Sequence, residues 1–257
     1  RKGATLAFVT TEGFRDVLET GYEKRFEQYD VFMDRPPPLV PRHRRLTVTE
    51  RMAADGSVLT ELDEGALEAM VPILKAEGVE AVAIGFLHSY VNTAHERRAR
   101  EVLAAHLPDV AITISSDVSP EIREYDRFST ACANAYVQPL MAGYLGRLSA
   151  TMKGLGFRGA LLLMMSGGGL TTLETAQRLP IRLVESGPAG GAILASYIAR
   201  ENGLDEVLSF DMGGTTAKIC LIADGEPERA RVFEVARAYR NLKGSGWPVR
   251  IPVIEMV

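Results

Sequence analysis

The sharpest chemistry in the sequence lies in the run Asp211-Met212-Gly213-Gly214-Thr215-Thr216. Val207-Leu208-Ser209-Phe210 reads as a strand that carries the Asp211 carboxylate to its C-terminal end. Two glycines then let the backbone turn tightly and approach a ligand closely. Successive exposed N–H groups form an anion-binding concavity, and threonine hydroxyls add donors for phosphate oxygens. An acid beside phosphates ordinarily serves Mg²⁺, directly or through water. Asp211 is therefore the candidate catalytic and metal-binding residue, and Gly213, Gly214, Thr215 and Thr216 are the candidate phosphate ligands. Taken alone, the run fits an ordinary Asp-rich hairpin turn equally well. It is not a Walker P-loop, because the GxxxxGK[ST] spacing is absent and a strand, 218–222, follows in place of a helix. Lys218 is not read as a Walker lysine.

Two further segments point the same way. Glu185-Ser186-Gly187-Pro188-Ala189-Gly190-Gly191-Ala192 opens a small-residue helix just before that strand. Ser186 is its expected cap, and Asn202-Gly203 its stop. Helix N-termini attract anions, and Ser186, Gly187, Gly190 and Gly191 are candidate binding residues; a plain capped packing helix is the alternative. Ser166-Gly167-Gly168-Gly169 follows an apolar run, 161–165, read as a buried strand. Its bare amides are candidates to line a cleft, against a flexible strand-to-helix turn.

The elements that must position these groups follow from periodicity. Leu6-Ala7-Phe8-Val9 reads as a buried strand, followed by a short helix through Val17 and Leu18. The prolines Pro36, Pro37, Pro38 and Pro41 demand a loop. Leu46-Thr47-Val48 and Ser57-Val58-Leu59 flank Asp55-Gly56 and read as a hairpin. A helix is expected over 63–77, with Leu67, Met70, Val71 and Leu74 on one face and Gly78 as its cap. The continuous apolar run 81–87 is a strand buried on both faces. Asn92 caps a helix through Leu103, and 110–114 is the next strand. Strand, helix, strand, helix, strand is the pattern of a parallel α/β sheet. Ser119-Pro120-Glu121 opens a long helix to about residue 153, with Pro139 as a kink or break.

The 257 residues, 46% hydrophobic and 24% charged, suit one large domain or two small ones. A net charge of −4 gives no basic excess for nucleic acid. No apolar run approaches a membrane span. Cys132 and Cys220 show no CxxC pairing and fit free, buried thiols in a reducing, cytoplasmic setting; neither has a histidine positioned to make it a nucleophile. His88 follows a buried strand, where α/β proteins place site residues, though a hydrogen-bonded structural histidine fits as well. His95 and Glu96 are expected to be solvated at a helix start. His43 and His106 lack metal-ligand spacing. Arg35, Arg42, Arg44, Arg45 and Arg51 form a basic patch, read as a solvated face or subunit contact. Residues 123–127 read as ion-paired structure, with a substrate or subunit surface as the alternative. The chain begins at Arg1 and ends in what reads as a strand cut short, so a piece of a longer protein is expected.

A Gly-rich strand end, an "SGPAGG" helix and a strand reaching "DMGGTT" succeed one another in an order that resembles the connecting helix and second phosphate hairpin of the actin, sugar-kinase and heat-shock chaperone ATPases. The fuller resemblance is to the hydantoinase A / 5-oxoprolinase / acetone carboxylase beta-subunit family, N-methylhydantoinase A-like. It is carried by "LAFVTTEGFRDVL" (6–18), "FLHSYVNTAHERR" (86–98), "SPEIREY" (119–125), "LLLMMSGGGL" (161–170), "SGPAGG" (186–191), "FDMGGTTAK" (210–218) and Arg250-Ile251-Pro252-Val253.

That resemblance implies an incomplete actin-like (ribonuclease H-like) α/β fold with mixed sheets flanked by helices. Residues 1–118 would be the C-terminal part of an N-terminal module. Residues 119–257 would be the first part of a central module, with the connecting helix near 186–202 and the phosphate hairpin near 207–222. It implies ATP and Mg²⁺ as cofactors, a cyclic amide or ketone substrate and a B-type partner subunit. Amide-opening members activate the amide oxygen by phosphoryl transfer; carboxylase relatives join a ketone with bicarbonate. A non-catalytic nucleotide-binding module or a ligand-free structural piece are the other readings. The sequence departs from the family pattern: the first phosphate hairpin and a later "GAGGG" region are not in it, so the isolated chain is not expected to turn over ATP. Ala217-Lys218 stands where some members have an acid after Thr216, which puts any metal role at 218 in doubt.

Overall fold

The computed structural model describes residues 3–22, 27–214, 216–239 and 241–256. The chain forms two compact units: Arg1–Met141 with Glu234–Arg250, and Ala142–Phe233 with Ile251–Val257. The division falls inside a long helix, Glu124–Gly154, and residues 234–250 rejoin the first unit.

The first unit is built on β1 (Leu6–Thr11), which is followed by α1 (Val17–Thr20), β2 (Arg45–Val48), β3 (Arg51–Met52) and β4 (Val58–Thr60). Then come α2 (Glu64–Ala76), β5 (Ala81–Gly85), α3 (Ala94–His106), β6 (Ala111–Ile114), α4 (Ser115–Val118) and the start of α5 (Glu124–Gly154). Four strands form one parallel sheet in the order β2-β1-β5-β6. Alternation along β1 and β5 divides its faces. Ala7, Val9, Val82 and Ile84 pack with Leu67, Leu74 and Leu103 of α2 and α3. Leu6, Phe8, Ala81 and Ala83 pack with Phe128, Ala131 and Ala135 of α5. Period-two alternation with both faces apolar is what a helix-covered parallel sheet requires.

The second unit comprises the rest of α5, then β7 (Leu162–Met164), β8 (Leu170–Thr172), α6 (Leu173–Arg178), α7 (Ser186–Glu201), β9 (Glu206–Met212), β10 (Ala217–Ala223) and β11 (Glu226–Pro227). β9, β10 and β11 make an antiparallel meander. Cys220 and Ile254 pack with Ala189 and Ala192 of α7. Small residues on one face of α7 let it lie close to the sheet.

Several expectations change. The Asp55-Gly56 hairpin joins β3 to β4, whereas 46–48 belong to β2 and pair in parallel with β1. The long helix starts at Glu124, not at Ser119, because Arg123 has φ 88° and breaks the run. Pro139 lies inside a helix that continues past it. β7 is neither buried nor followed by a helix; it turns directly into β8. His95 and Glu96 are buried, 6% and 0% exposed, because Glu96 accepts four hydrogen bonds and His95 Nδ1 meets Glu50 at 2.9 Å. The basic patch is ion-paired: Arg42 with Asp16 and Arg44 with Glu77, while Arg45 is buried against Val40 O and Glu19.

Candidate functional site

The Asp211 run is the turn of the β9–β10 hairpin. Met212 pairs with Ala217 and Asp211 with Lys218, and Gly213 N donates to Thr216 O at 3.0 Å. Asp211, Gly213, Gly214 and Thr216 are all exposed. Thr215 lies outside the described residues. Among the described residues, Asp211 has no ion pair or side-chain hydrogen bond, and its carboxylate is exposed one residue pair back from the turn. Neither glycine adopts φ > 0. An added Cβ at Gly213 would meet only Thr216 O, at 3.9 Å, and one at Gly214 would meet nothing within 4 Å. The fold itself therefore makes no demand for glycine at either position.

Glu185 is the N-cap of α7, in the left-handed conformation at φ 62°, and replaces Ser186, which is the first helical residue. The first amides of α7, like those of any helix, have no intrahelical partner, and the N-cap side chain does not bond them. The Glu185 carboxylate instead forms an ion pair with Lys218 of β10. That contact fixes the start of α7 beside the hairpin. Burial lowers the Lys218 pKa from its ordinary value. Gly187 and Gly191 face open space, whereas Gly190 faces the Met164 side chain at 3.6 Å.

Ser166-Gly167-Gly168-Gly169 is the turn of the β7–β8 hairpin, closed by Met165 N to Gly169 O at 2.7 Å. The Ser166 hydroxyl is taken up by the carbonyls of Arg182 and Val184, so it holds this turn to the residue just before Glu185. Ile254 N donates to Ser166 O at 2.8 Å. Gly168, at φ 86°, packs against Ile193 of α7, where a Cβ would come within 2.7 Å of Ile193 Cδ1. The three glycine-bearing segments thus share one neighbourhood, linked through Val184, Glu185 and Lys218. Glu185 and Lys218 were not singled out as site residues by their types; only their registers, one before the helix and one across from Asp211, place them there.

The sequence profile of the hydantoinase/oxoprolinase family matches residues 127–257, and that of its N-terminal region matches residues 1–107. The chain belongs to the hydantoinase/oxoprolinase family. It is 35% identical over 258 residues to the caprolactamase alpha subunit of Pseudomonas jessenii, covering all of this chain and 36% of that subunit. The crystal structure of that ATP-dependent caprolactamase matches with a TM-score of 0.83 and 32% identity, over 99% of this chain and 36% of the other. The 5-oxoprolinase of Saccharomyces cerevisiae is 30% identical over 268 residues, 93% of this chain and 20% of that protein. The acetone carboxylase beta subunit of Xanthobacter autotrophicus is 28% identical over 256 residues, 90% of this chain and 35% of that subunit. The chain thus spans about a third or less of the length of these relatives. The actin-like α/β fold expected from the sequence is the fold of this family, and no described helix is long and apolar enough to cross a membrane.

The residues present suit a nucleotide and Mg²⁺. Mg²⁺ is commonly held by one or two carboxylates together with substrate phosphates and waters, and Asp211 offers one exposed carboxylate beside a bare glycine turn. No cluster of three metal-ligating side chains exists among the described residues, so phosphates and water would complete the coordination.

Proposed function

We infer that this chain is the phosphate-gripping portion of an ATP-dependent enzyme that opens a cyclic amide of the hydantoin or 5-oxoproline type through a phosphorylated intermediate. The observation that carries the reading is the hairpin turn at Gly213 and Gly214, where the fold needs no glycine and three glycine-bearing segments converge. Phosphoryl transfer asks the protein mainly for positioning and charge stabilisation. Gly213, Gly214, Thr215 and Thr216 would cradle phosphate oxygens, with the amides of Ser186 and Gly187 and the turn at 167–169 lining the same neighbourhood. Asp211 would hold Mg²⁺, which supplies charge neutralisation at the phosphates when bound. Lys218 keeps Glu185 from lying free beside the anion. The enzyme would act as one subunit beside a B-type partner, and two buried thiols with no disulfide suit a reducing cytoplasm.

The second reading is the beta subunit of an ATP-dependent ketone carboxylase. The acetone carboxylase relative favours it, since it aligns over 90% of the chain. ATP cleavage by the full-length protein with its partner subunit separates the two. Hydantoin, 5-oxoproline, caprolactam and acetone with bicarbonate are supplied separately, beside an Asp211→Ala variant. Stimulation by a cyclic amide, abolished in the variant, is expected. Stimulation by ketone and bicarbonate alone moves the protein to the carboxylases. Nucleotide binding without stimulation by any of them makes it a non-catalytic module, and an unimpaired variant removes Asp211 from the site.

A further inference from the structure

The parallel sheet of the first unit reverses its order between β1 and β5: the chain moves from β1 to β2 on one side, then to β5 on the other. Open parallel sheets bind ligands outside the C-terminal ends of their strands at such a point. Three residues beyond β5, His88 occupies the left-handed region at φ 54°. Its Nδ1 is buried and has no hydrogen-bond partner among the described residues. The ring lies 6.0 Å from that of Tyr90.

A non-glycine residue in this conformation is strained and persists only where its surroundings over-determine it. Here they do. Phe86 N donates to Glu96 Oε1 at 3.0 Å, and Arg127 Nη2 donates to Phe86 O at 2.8 Å. Leu87 N donates to Thr11 Oγ1 at 3.1 Å. Val91 N and Asn92 N both donate to His88 O, at 2.9 and 3.2 Å. Ser89 Oγ lies 3.3 Å from Ser115 Oγ, which in turn donates to Glu96. Glu96 and Arg127 are both 0% exposed, and burying such charges costs several kcal/mol of desolvation for each. What they hold is the backbone on the two sides of His88. The neighbouring polar groups are already engaged: Glu96 accepts four hydrogen bonds, and Glu50 holds Thr11 and His95. His95 Nε2, the other buried ring nitrogen here without a hydrogen bond, lies 3.8 Å from the Glu61 carboxylate, whereas His88 Nδ1 has no charged group of that kind beside it among the described ion pairs. His88 Nδ1 is left buried without a hydrogen-bond partner among the described residues, three residues past the C-terminal end of β5.

We propose that His88 is a substrate-contacting residue, whose imidazole hydrogen-bonds the amide or carbonyl group of the cyclic amide on which the enzyme acts. The proposal rests on the function inferred above for the class of the ligand, but not for the existence of the site. The chain has four histidines, so the imidazole signals of labelled full-length protein can be assigned by substitution.

Hydantoin, 5-oxoproline, caprolactam and acetone are titrated separately, without ATP, and the His88 signals are followed. A saturable shift with a cyclic amide is expected. No shift with any of the four overturns the proposal, whatever the ATPase assay shows. A shift without stimulated ATP cleavage leaves the His88 site standing and removes the inferred activity. His88→Asn keeps a side chain that tolerates the left-handed backbone, and His88→Gly relieves the strain. Both are expected to lower kcat/KM for the amide at least tenfold, with nucleotide affinity within about twofold of wild type. The melting temperature of His88→Gly should be unchanged or raised. Wild-type kcat/KM in His88→Asn, or a lowered melting temperature in His88→Gly with wild-type kcat/KM in the folded protein, would make His88 a structural residue.

Discussion

At Gly214 an added methyl group would meet no described atom within 4 Å, and at Gly213 only one, at 3.9 Å. Both backbones lie at φ values open to alanine. Alanine there reduces the freedom of the unfolded chain, which raises stability by about 0.4–1 kcal/mol where the native conformation accepts it. A ligand resting on those amides would lose its hydrogen bonds to them, at about 1–3 kcal/mol, or roughly tenfold in affinity for each 1.4 kcal/mol. Gly213→Ala and Gly214→Ala are therefore expected to melt at or above the wild-type temperature and to bind nucleotide about tenfold more weakly. Calorimetric titration beside thermal melting checks both. Wild-type affinity in both variants would return the turn to an ordinary hairpin. The sequence marks these residues by type, since a glycine pair after a strand-borne acid is a compact local signal. It carries no mark for Glu185 or Lys218, whose roles come from the register of β10 and the left-handed entry to α7.

Elements carry the constraint further from the chemistry. Gly85 closes β5, and a Cβ on it would clash with the Phe128 ring. Phe128 is fully buried between the sheet and α5, so it cannot swing aside. Overpacking of this kind costs about 1–3 kcal/mol, and Gly85→Ala is expected to lower the melting temperature by several degrees. Shortening the ring in a Gly85→Ala, Phe128→Leu double variant should recover part of the loss; an unshifted melt of the single variant would show that α5 yields. The strands and helices of this unit were legible because apolar periods of two and of 3.6 are local. Their partners were not. Leu46-Thr47-Val48 reads alike as a hairpin arm or a parallel edge, and the short polar pair Arg51-Met52 gives no strand signal, so the hairpin was assigned one segment too early. The helix start at Ser119-Pro120 has the right cap chemistry, but Arg123 at φ 88° moves the helix to Glu124. Glu96 looks solvated in sequence, and Arg127 reads as part of an ion-paired cluster. Their burial depends on meeting across α3, α5 and the end of β5, which no local pattern encodes.

Across the whole molecule, each compact unit has its own buried thiol. Cys132 lies in the α5 face of the first unit, and Cys220 lies against α7 in the second. Burial pushes both thiols above their ordinary pKa, and the attacking species is the thiolate. Neither should react with an alkylating agent in native protein in mildly alkaline buffer. Pulse alkylation along a urea series, followed by peptide mapping, then reads the opening of each unit through its own cysteine. Phe8 packs in the same cluster as Cys132, and truncating a buried phenylalanine removes about 3–5 kcal/mol. In Phe8→Ala the Cys132 midpoint is therefore expected to fall by about 1–5 M urea, given a slope of about 1–3 kcal/mol per M. The sole tryptophan, Trp247, belongs to the same unit, and its fluorescence should move with Cys132. A native Cys132 that alkylates at the rate of a free thiol, or a Trp247 transition that parts from it, would show that the first unit is not one cooperative core around β1.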